Sequence, residues 1–466
     1  MKSLYDALLY LTGWPLAVLL IAGGLYFTVR TKFIQLRFFI ESLRVVLEKP
    51  AGKNSVSSFG ALMISTASRV GTGNIIGVST AICFGGAGAV FWMWVTAIIG
   101  GASAFVESTL AQIYKRRNPD GSSYGGPSFY IESACRNKFL AVVFALALIF
   151  TYGVGYNMLA SYNLQSSFAA FGFYKPSHCW IFGAVTALAF LFTILGGSRT
   201  LVKTTGVLVP VMGVVYILFS LTALVLNANN ILPMFKVIFT DAFNFKAVFG
   251  GFAGSCIMWG LKRGLYSNEA GIGSAPNAAA AADVSHPAKQ GLVQMLSVFI
   301  DTNLICMATA LMCLVSGVPA TAADAGAPYV QKALSGSFGM TGPVFIACAM
   351  VLFAYTTLLG NFYYVESCFS YIFGHTPSKK SLLLIRIAGA LLIFFGAALK
   401  MEHAWNIADI AQCVLAFINI PVCIIIGKAA YTALEDYARQ KKAGKNPQYI
   451  AGDNGIKEET DFWKNC

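Results

Sequence analysis

Apolar runs long enough to cross a bilayer follow one another along nearly the whole 466-residue chain, from Gly13–Val29 to 404–427. A spanning helix takes about 20 consecutive apolar residues, and in lipid only helices or closed barrels satisfy their own backbone hydrogen bonds. A barrel would present alternating segments of about ten residues, which this chain lacks. Its residues are 57% hydrophobic and 11% charged, against roughly 25% charged in soluble proteins. That excludes a soluble domain, a disordered chain and a nucleic-acid binder, and leaves room for about eleven to thirteen spans. The chain reads as an all-α polytopic membrane protein.

The run Gly13–Val29 is too long for a signal peptide's apolar core and lacks a small-residue cleavage site, so it is read as a retained span. In the basic stretch Arg30 to Lys53, Leu36, Phe39, Ile40, Leu43 and Leu47 fall on one helical face. That is the pattern of an amphipathic helix on the membrane surface, or of a connecting helix packed on the bundle. Ten further spans are predicted near 57–83, 88–113, 139–165, 179–196, 204–226, 247–275, 289–315, 341–372, 382–399 and 404–427. The net charge of +13 then records topology, because inward loops collect Lys and Arg. Placing Arg30 to Lys53, Lys115 to Arg117, Arg136, Lys138, Arg199, Lys203, Lys289, Lys379, Lys380, Arg386 and the tail inside puts the N-terminus outside and the C-terminus in the cytoplasm. Eleven spans agree with termini on opposite sides. The eleven cysteines form no CxxC and the four histidines no metal-ligand pattern; most of the cysteines read as small buried apolar residues.

Two spans carry glycine and polar residues at membrane depth. The second has Gly71-Thr72-Gly73-Asn74 near its middle, beside Arg69. The seventh has Gly260, Lys262, Arg263, Gly264, Asn268 and Glu269. Such residues are tolerated where the backbone unwinds against protein or a water-filled cavity, not against lipid. With the first span set aside, the other ten divide into five and five, and the two interrupted spans open the two halves. Paired Gly-interrupted spans in corresponding positions point to an inverted-repeat transporter with a midplane site. The predicted divisions are 1–56 (extra span and amphipathic helix), 57–226 and 247–427 (two five-helix repeats) and 428–466 (a polar tail).

An unwound helix exposes N–H groups that can receive a carboxylate and carbonyls that can coordinate Na⁺. Gly71 to Asn74 offers both, with Thr66 and Asn74 adding side-chain groups. A plain small-residue packing face is the alternative, and Arg69 and Asn74 have no place in one. In the ninth span Thr356 and Thr357 are adjacent hydroxyls with Asn361 one turn on. They are suited to complete a cation shell, although helical threonines often bond back to their own carbonyls. Gln165 lines a pocket or caps a helix; Tyr266 closes over a substrate or packs in the core. Glu107, Asp301, Glu366 and Asp409 are expected to pair with Arg69, Lys262 or Arg263.

The segments ASRVGTGNIIGVSTAI, GGAGAVFWMW, GGPSFYI, GLKRGLYSNEAGIGSAP and HPAKQGL resemble the alanine or glycine:cation (sodium:alanine) symporter family, from about Ser57 to Gly427. The resemblance implies the leucine-transporter-like fold of the amino acid–polyamine–organocation superfamily, a five-plus-five inverted repeat, here preceded by one extra helix. It also implies import of small neutral amino acids driven by Na⁺, or occasionally H⁺. Carried over by position, the cation lies among the carbonyls of Ala67, Val70 and Phe353 and the hydroxyls of Thr356 and Thr357. The amino acid lies against Thr66, Gly71, Gly73 and Asn74, with Gln165 and Tyr266 contributing. The family commonly has tryptophan where this chain has Asn361, and glycine where it has Val365. Loss of an indole leaves space beside a polar side chain, so Asn361 joins the substrate set and a larger or more polar amino acid, such as glutamine, asparagine or serine, is expected.

Two other classes are disfavoured. A channel would show a carbonyl or charged-ring filter and usually symmetric subunits. A membrane enzyme would need a catalytic set such as HExxH, and none is present. The expected entity is a monomeric Na⁺-coupled symporter of the inner membrane, with H⁺ coupling as the alternative, no organic cofactor, and amino acid, Na⁺ and lipid as its partners.

Overall fold

The computed structural model describes residues 2–49, 56–118, 121–244, 255–456, 458 and 460–463. The expected start of the seventh span (247–254) and Lys53 lie outside the described residues. Helices account for most of what is described: α1 Trp14–Arg30, α2 Phe39–Val46, α3 Ser58–Arg69, α4 Ile76–Gly85, α5 Gly88–Ile113, α6 Lys138–Ser166, α7 Cys179–Leu195 and α8 Gly197–Leu226. There follow α9 Cys256–Asn268, α10 Ala275–Ala280, α11 Pro287–Val315, α12 Thr341–Phe373, α13 Lys379–Gly396, α14 Met401–Ile426 and α15 Lys428–Lys442. Among the described residues, eight helices are long and apolar enough to cross a membrane, as an all-α polytopic membrane protein requires. The strands among the described residues are one two-residue pair, Arg116–Arg117 antiparallel to Ser123–Tyr124.

The interruption expected at Gly71 to Asn74 is present, and it separates α3 from α4. The second interruption falls at the C-terminal end of the expected cluster, at Asn268 and Glu269, and not at its glycines. α9 runs unbroken through Gly260 and Gly264, and these glycines serve close packing. A Cβ at Gly260 would sit 2.5 Å from the Ala89 carbonyl of α5, the small-residue contact that lets membrane helices approach. The chain turns instead after Asn268, where Glu269 takes a left-handed conformation (φ 53) and Gly271 and Gly273 follow at φ 89 and 81. Left-handed backbone ends a helix and favours glycine.

The stretch after α1 packs through Ile34, Ser42, Val45 and Val46, which are buried, while Leu36, Ile40, Leu43 and Leu47 face outward. The described residues between 428 and 463 are less solvated than a polar tail suggests. α15 buries Tyr437, whose hydroxyl donates to Glu41 at 2.8 Å. Beyond α15, the Tyr449 amide donates to Ser285 O at 3.0 Å, and the Trp463 indole to Gln112 O at 2.8 Å. Phe462 and Trp463 cover the Lys115 ammonium at 4.5 and 5.2 Å, and Asp461 pairs with Arg116 at 3.2 Å. This strap ties the ends of α5 and α11 together on one face. Burial pushes Lys115 down to about 7.

Candidate functional site

The two interruptions face each other in the middle of the bundle. After α3, Val70 (ψ 88) and Gly71 (φ −146, ψ −150) run extended and Thr72–Asn74 form one tight turn before α4. The turn stabilises itself: Asn74 Oδ1 accepts the Gly71 amide at 2.7 Å. The Gly71 N–H expected to be free is therefore capped by its own segment. A Cβ at Gly71 would lie 1.9 Å from Thr357 Oγ1, and one at Gly73 2.7 Å from the Tyr266 ring. Glycine at both positions is what lets this backbone press against α12 and α9.

A narrow cavity lies here, walled by Ser68, Arg69 and Gly71–Gly73 on one side and by Tyr156, Tyr266, Glu269 and Thr357 on the other. Its cover is aromatic. The Tyr266 ring packs 4.8 Å from both Tyr156 and Trp405. Trp405 in turn lies 4.0 Å beneath the Arg263 guanidinium, which pairs with Asp409 at 2.8 Å. Tyr156 belongs to a π-helical stretch of α6, Ile149–Tyr156, and donates to Gln412 Oε1 at 2.7 Å. Such widened turns recur at functional positions.

Buried acids hold both interruptions. Glu107 of α5 accepts the amides of Gly271 and Gly273 at 3.3 and 3.1 Å and Asn419 Nδ2 at 2.7 Å. Asp301 of α11 accepts Asn74 Nδ2 at 2.7 Å, Ser267 Oγ at 2.8 Å and Thr302 Oγ1 at 2.7 Å. Glu269 accepts Ser68 Oγ at 2.9 Å and Ser274 Oγ at 2.7 Å. The expected pairing of the four acids with Arg69, Lys262 or Arg263 thus holds for Asp409 alone. Glu366 pairs with Arg386 at 2.7 Å, and Glu107 and Asp301 take neutral donors, because unwound backbone and neighbouring amides supply N–H groups that need an acceptor. Arg69, 2% exposed, donates from Nη1 to Gln294 O at 3.3 Å.

The expected site residues divide into three sets. Gly71, Gly73 and Tyr266 wall the cavity and Asn74 sits in its turn. Thr357 also reaches the cavity, with its hydroxyl 3.4 Å from Ser68 O. The backbones of α3 and α12 touch there, since a Cβ at Gly360 would lie 3.1 Å from the Ala67 carbonyl carbon; Val70 ends α3 beside it. A second set stands behind the wall. Thr66 pairs with Ser297 at 3.1 Å. Asn361 accepts Ser68 Oγ at 2.6 Å and donates to Asn157 Oδ1 at 3.0 Å. The third set turns elsewhere. Thr356 donates to the carbonyls of Leu352 and Phe353, each at 3.1 Å, and contacts Met212 of α8. Gln165 accepts the Tyr174 hydroxyl at 2.5 Å. Besides Tyr156, an α6 side chain that reaches the interruption is Asn163, which donates to Thr72 Oγ1 at 3.0 Å. Its signal in the sequence was a buried amide two residues before Gln165 and hence on another face of the helix.

The model of the sodium:alanine symporter family matches residues 2–451. The amino-acid carrier protein AlsT of Bacillus subtilis is 41% identical over 470 residues, covering 100% of this chain and 99% of that protein. The probable sodium/glutamine symporter GlnT of the same organism is 40% identical over 448 residues (95% and 92%). The sodium/alanine symporter AgcS of Methanococcus maripaludis is 39% identical over 422 residues (88% and 91%). With a family match and relatives of this identity spanning almost the whole chain, a polytopic helical protein with an interrupted-helix cavity at its centre is a transporter rather than an enzyme, and it belongs to the sodium:alanine symporter family.

Proposed function

We propose that this chain imports neutral amino acids together with Na⁺ by alternating access, at the cavity between the two interruptions. The observation that carries the reading is the contact of the interrupted α3 with α12, where the Thr357 hydroxyl stands 3.4 Å from Ser68 O. Carbonyls of Ala67, Val70 and Phe353 with the hydroxyls of Thr357 and, after a side-chain rotation, Thr356 would supply oxygen ligands, the hard donors that an alkali cation prefers. The amino acid would lie against Gly71, Gly73 and Asn74 under Tyr266, with Thr66, Gln165 and Asn361 outside the immediate wall. Na⁺ ordering the turn would raise amino acid affinity, and the amino acid would raise Na⁺ affinity by the same factor.

A five-plus-five inverted repeat after one extra span, eleven spans in all, is supported by a correspondence between the interrupted helices. Ser57 and Ser255 cap α3 and α9 alike, accepting Gly60 N at 3.0 Å and Met258 N at 3.3 Å. Glu107 and Asp301, each on the long helix after an interrupted one, cross to the other interruption. The basic loops favour an N-out, C-in orientation in the inner membrane, and a monomer suffices for a site enclosed by one chain. Asn361 in place of an indole favours an amino acid larger or more polar than alanine, and one relative carries the name of a glutamine symporter.

Uptake of labelled alanine into proteoliposomes, in Na⁺ or choline and against a panel of unlabelled amino acids, tests the whole reading. Uptake requires an inward Na⁺ gradient, and glutamine, asparagine or serine compete. Competition by glycine and alanine alone, unchanged by Asn361→Trp, overturns the specificity. A second reading, H⁺ coupling, rests on the carboxylate of Glu269 buried at the cavity wall; uptake in choline driven by a pH gradient would establish it instead.

A further inference from the structure

We infer that Asp301 is the positioning residue that joins the two interruptions and fixes the amide of Asn74, a role that rests on the proposed binding of amino acid at Asn74. Asp301 is fully buried in a π-helical stretch of α11, Phe299–Cys306, and forms no ion pair among the described residues. Its Oδ1 accepts Asn74 Nδ2 at 2.7 Å, and its backbone carbonyl accepts the same nitrogen at 3.1 Å. With Nδ2 held by two acceptors, Asn74 Oδ1 must point the other way, onto the Gly71 amide at 2.7 Å. Its Oδ2 accepts Ser267 Oγ, on α9, at 2.8 Å and Thr302 Oγ1 at 2.7 Å. One carboxylate therefore links the turn after α3 to the last turn of α9, from a third helix. The same helix grips the turn again where the Thr309 hydroxyl donates to Asn74 O at 2.6 Å.

On Oδ1 the neighbour is an obligate donor, the Asn74 amide, and on Oδ2 two hydroxyls donate, an arrangement that suits a carboxylate. In Asp301→Asn one oxygen becomes an NH₂ group. If that group faces Asn74, two NH₂ groups meet, the Asn74 amide turns over and the Gly71 cap is lost. If it faces Ser267 and Thr302, the two hydroxyls must turn to accept from it, and the tie to α9 becomes a weaker, neutral one. In either orientation the charge-assisted grip on Asn74 is weakened while the side chain keeps its size and the buried charge falls, so fold and binding are separable.

The test is a double-mutant cycle on purified protein with Asp301→Asn, Asn74→Ala and both changes together. It reads the melting temperature in detergent and equilibrium binding of labelled alanine at saturating Na⁺. Loss of a hydrogen bond to a charged group weakens an equilibrium about 10- to 100-fold, so each single change weakens alanine binding by that order. The double variant binds no worse than Asn74→Ala alone, since Asp301 acts through Asn74. Ser267→Ala and Thr302→Ala, which remove one donor each, give smaller losses and keep the measurement available if Asp301→Asn does not fold. Additive effects of the two changes on alanine affinity, or unaltered affinity in Asp301→Asn, overturn the inference. If the unmodified protein binds no amino acid in Na⁺, the transport reading falls. The non-additivity of the melting temperatures then decides whether Asp301 and Asn74 are coupled.

Discussion

Arg263 and Asp409 form an ion pair of 2.8 Å whose side chains are only 3% and 7% exposed, joining α9 to α14 above the cavity. The guanidinium also lies over Trp405 and Trp259 at 4.0 and 5.3 Å, and Gln412 Nε2 donates to the free carboxylate oxygen at 3.1 Å. Removing one partner of such a pair strands a charge, at a cost of about 3–5 kcal/mol. Asp409→Ala is therefore expected to lower the melting temperature sharply. The double change Arg263→Met with Asp409→Leu, which leaves no stranded charge, recovers most of the loss. Thermal unfolding of the purified variants measures both.

Gly71→Ala is expected to abolish transport, because its Cβ would overlap Thr357 Oγ1 at 1.9 Å. The clash has a named partner, so it has a named remedy: Thr357→Gly removes that oxygen and restores a folded, monodisperse protein. Gly71→Ala costs about 1–3 kcal/mol by overpacking, measurable as a fall in melting temperature that the second change reverses. Equal instability of the single and double variants would place the constraint elsewhere.

The two threonines of α12 differ in direction, and their variants should differ too. Thr357→Ala removes a hydroxyl that faces α3 and is expected to raise the Na⁺ concentration for half-maximal uptake about 10-fold. Thr356 donates to its own helix and lies against Met212, so Thr356→Ala raises it less. Na⁺ titration of alanine uptake in proteoliposomes compares them, and a larger effect of Thr356→Ala would mean that its side chain rotates to the cation during transport.

Stability should fall with acidity through His286. Burial holds its imidazole down to about 4 against the Asp436 contact, from an ordinary 6.5. The unfolded chain thus binds the proton first, and stability present above pH 6.5 is lost as pH falls towards 4, by an amount on the order of 3 kcal/mol. Asp436, held below the usual carboxylate range by Gln440, Arg439 and His286 against the cost of burial, loses its contribution in the same direction. His286→Asn keeps an N-cap for α11 and removes the imidazole, so its melting temperature should vary less between pH 7 and 4.5.

The sequence made the interruption at Gly71 to Asn74 legible because two glycines and an asparagine have no reason to lie in a lipid-facing run. The same reasoning reached the second interruption only through the last members of its cluster, Asn268 and Glu269. Gly260 and Gly264 mark a close helix contact, which looks identical in sequence to a break, and the true turn needed the left-handed backbone at Glu269. Gln165 drew attention by its place near the end of the fourth span and by the family resemblance, whereas Asn163, two residues earlier and on another face of the helix, meets the turn. The pairing of Arg263 with Asp409 spans 146 residues, a relationship that no local pattern carries.

The strap that carries Tyr449 and Trp463 has a consequence for how the protein is made. It is synthesised after every span, yet the Trp463 indole supplies the donor for Gln112 O in α5, a helix that emerges in the first quarter of the chain. A nascent chain halted at Lys442 has its whole bundle and still lacks the cover over Lys115. Closure of this face therefore waits on Phe462 and Trp463, and a chain truncated at Lys442 is distinguishable from one that carries them by the accessibility of Lys115.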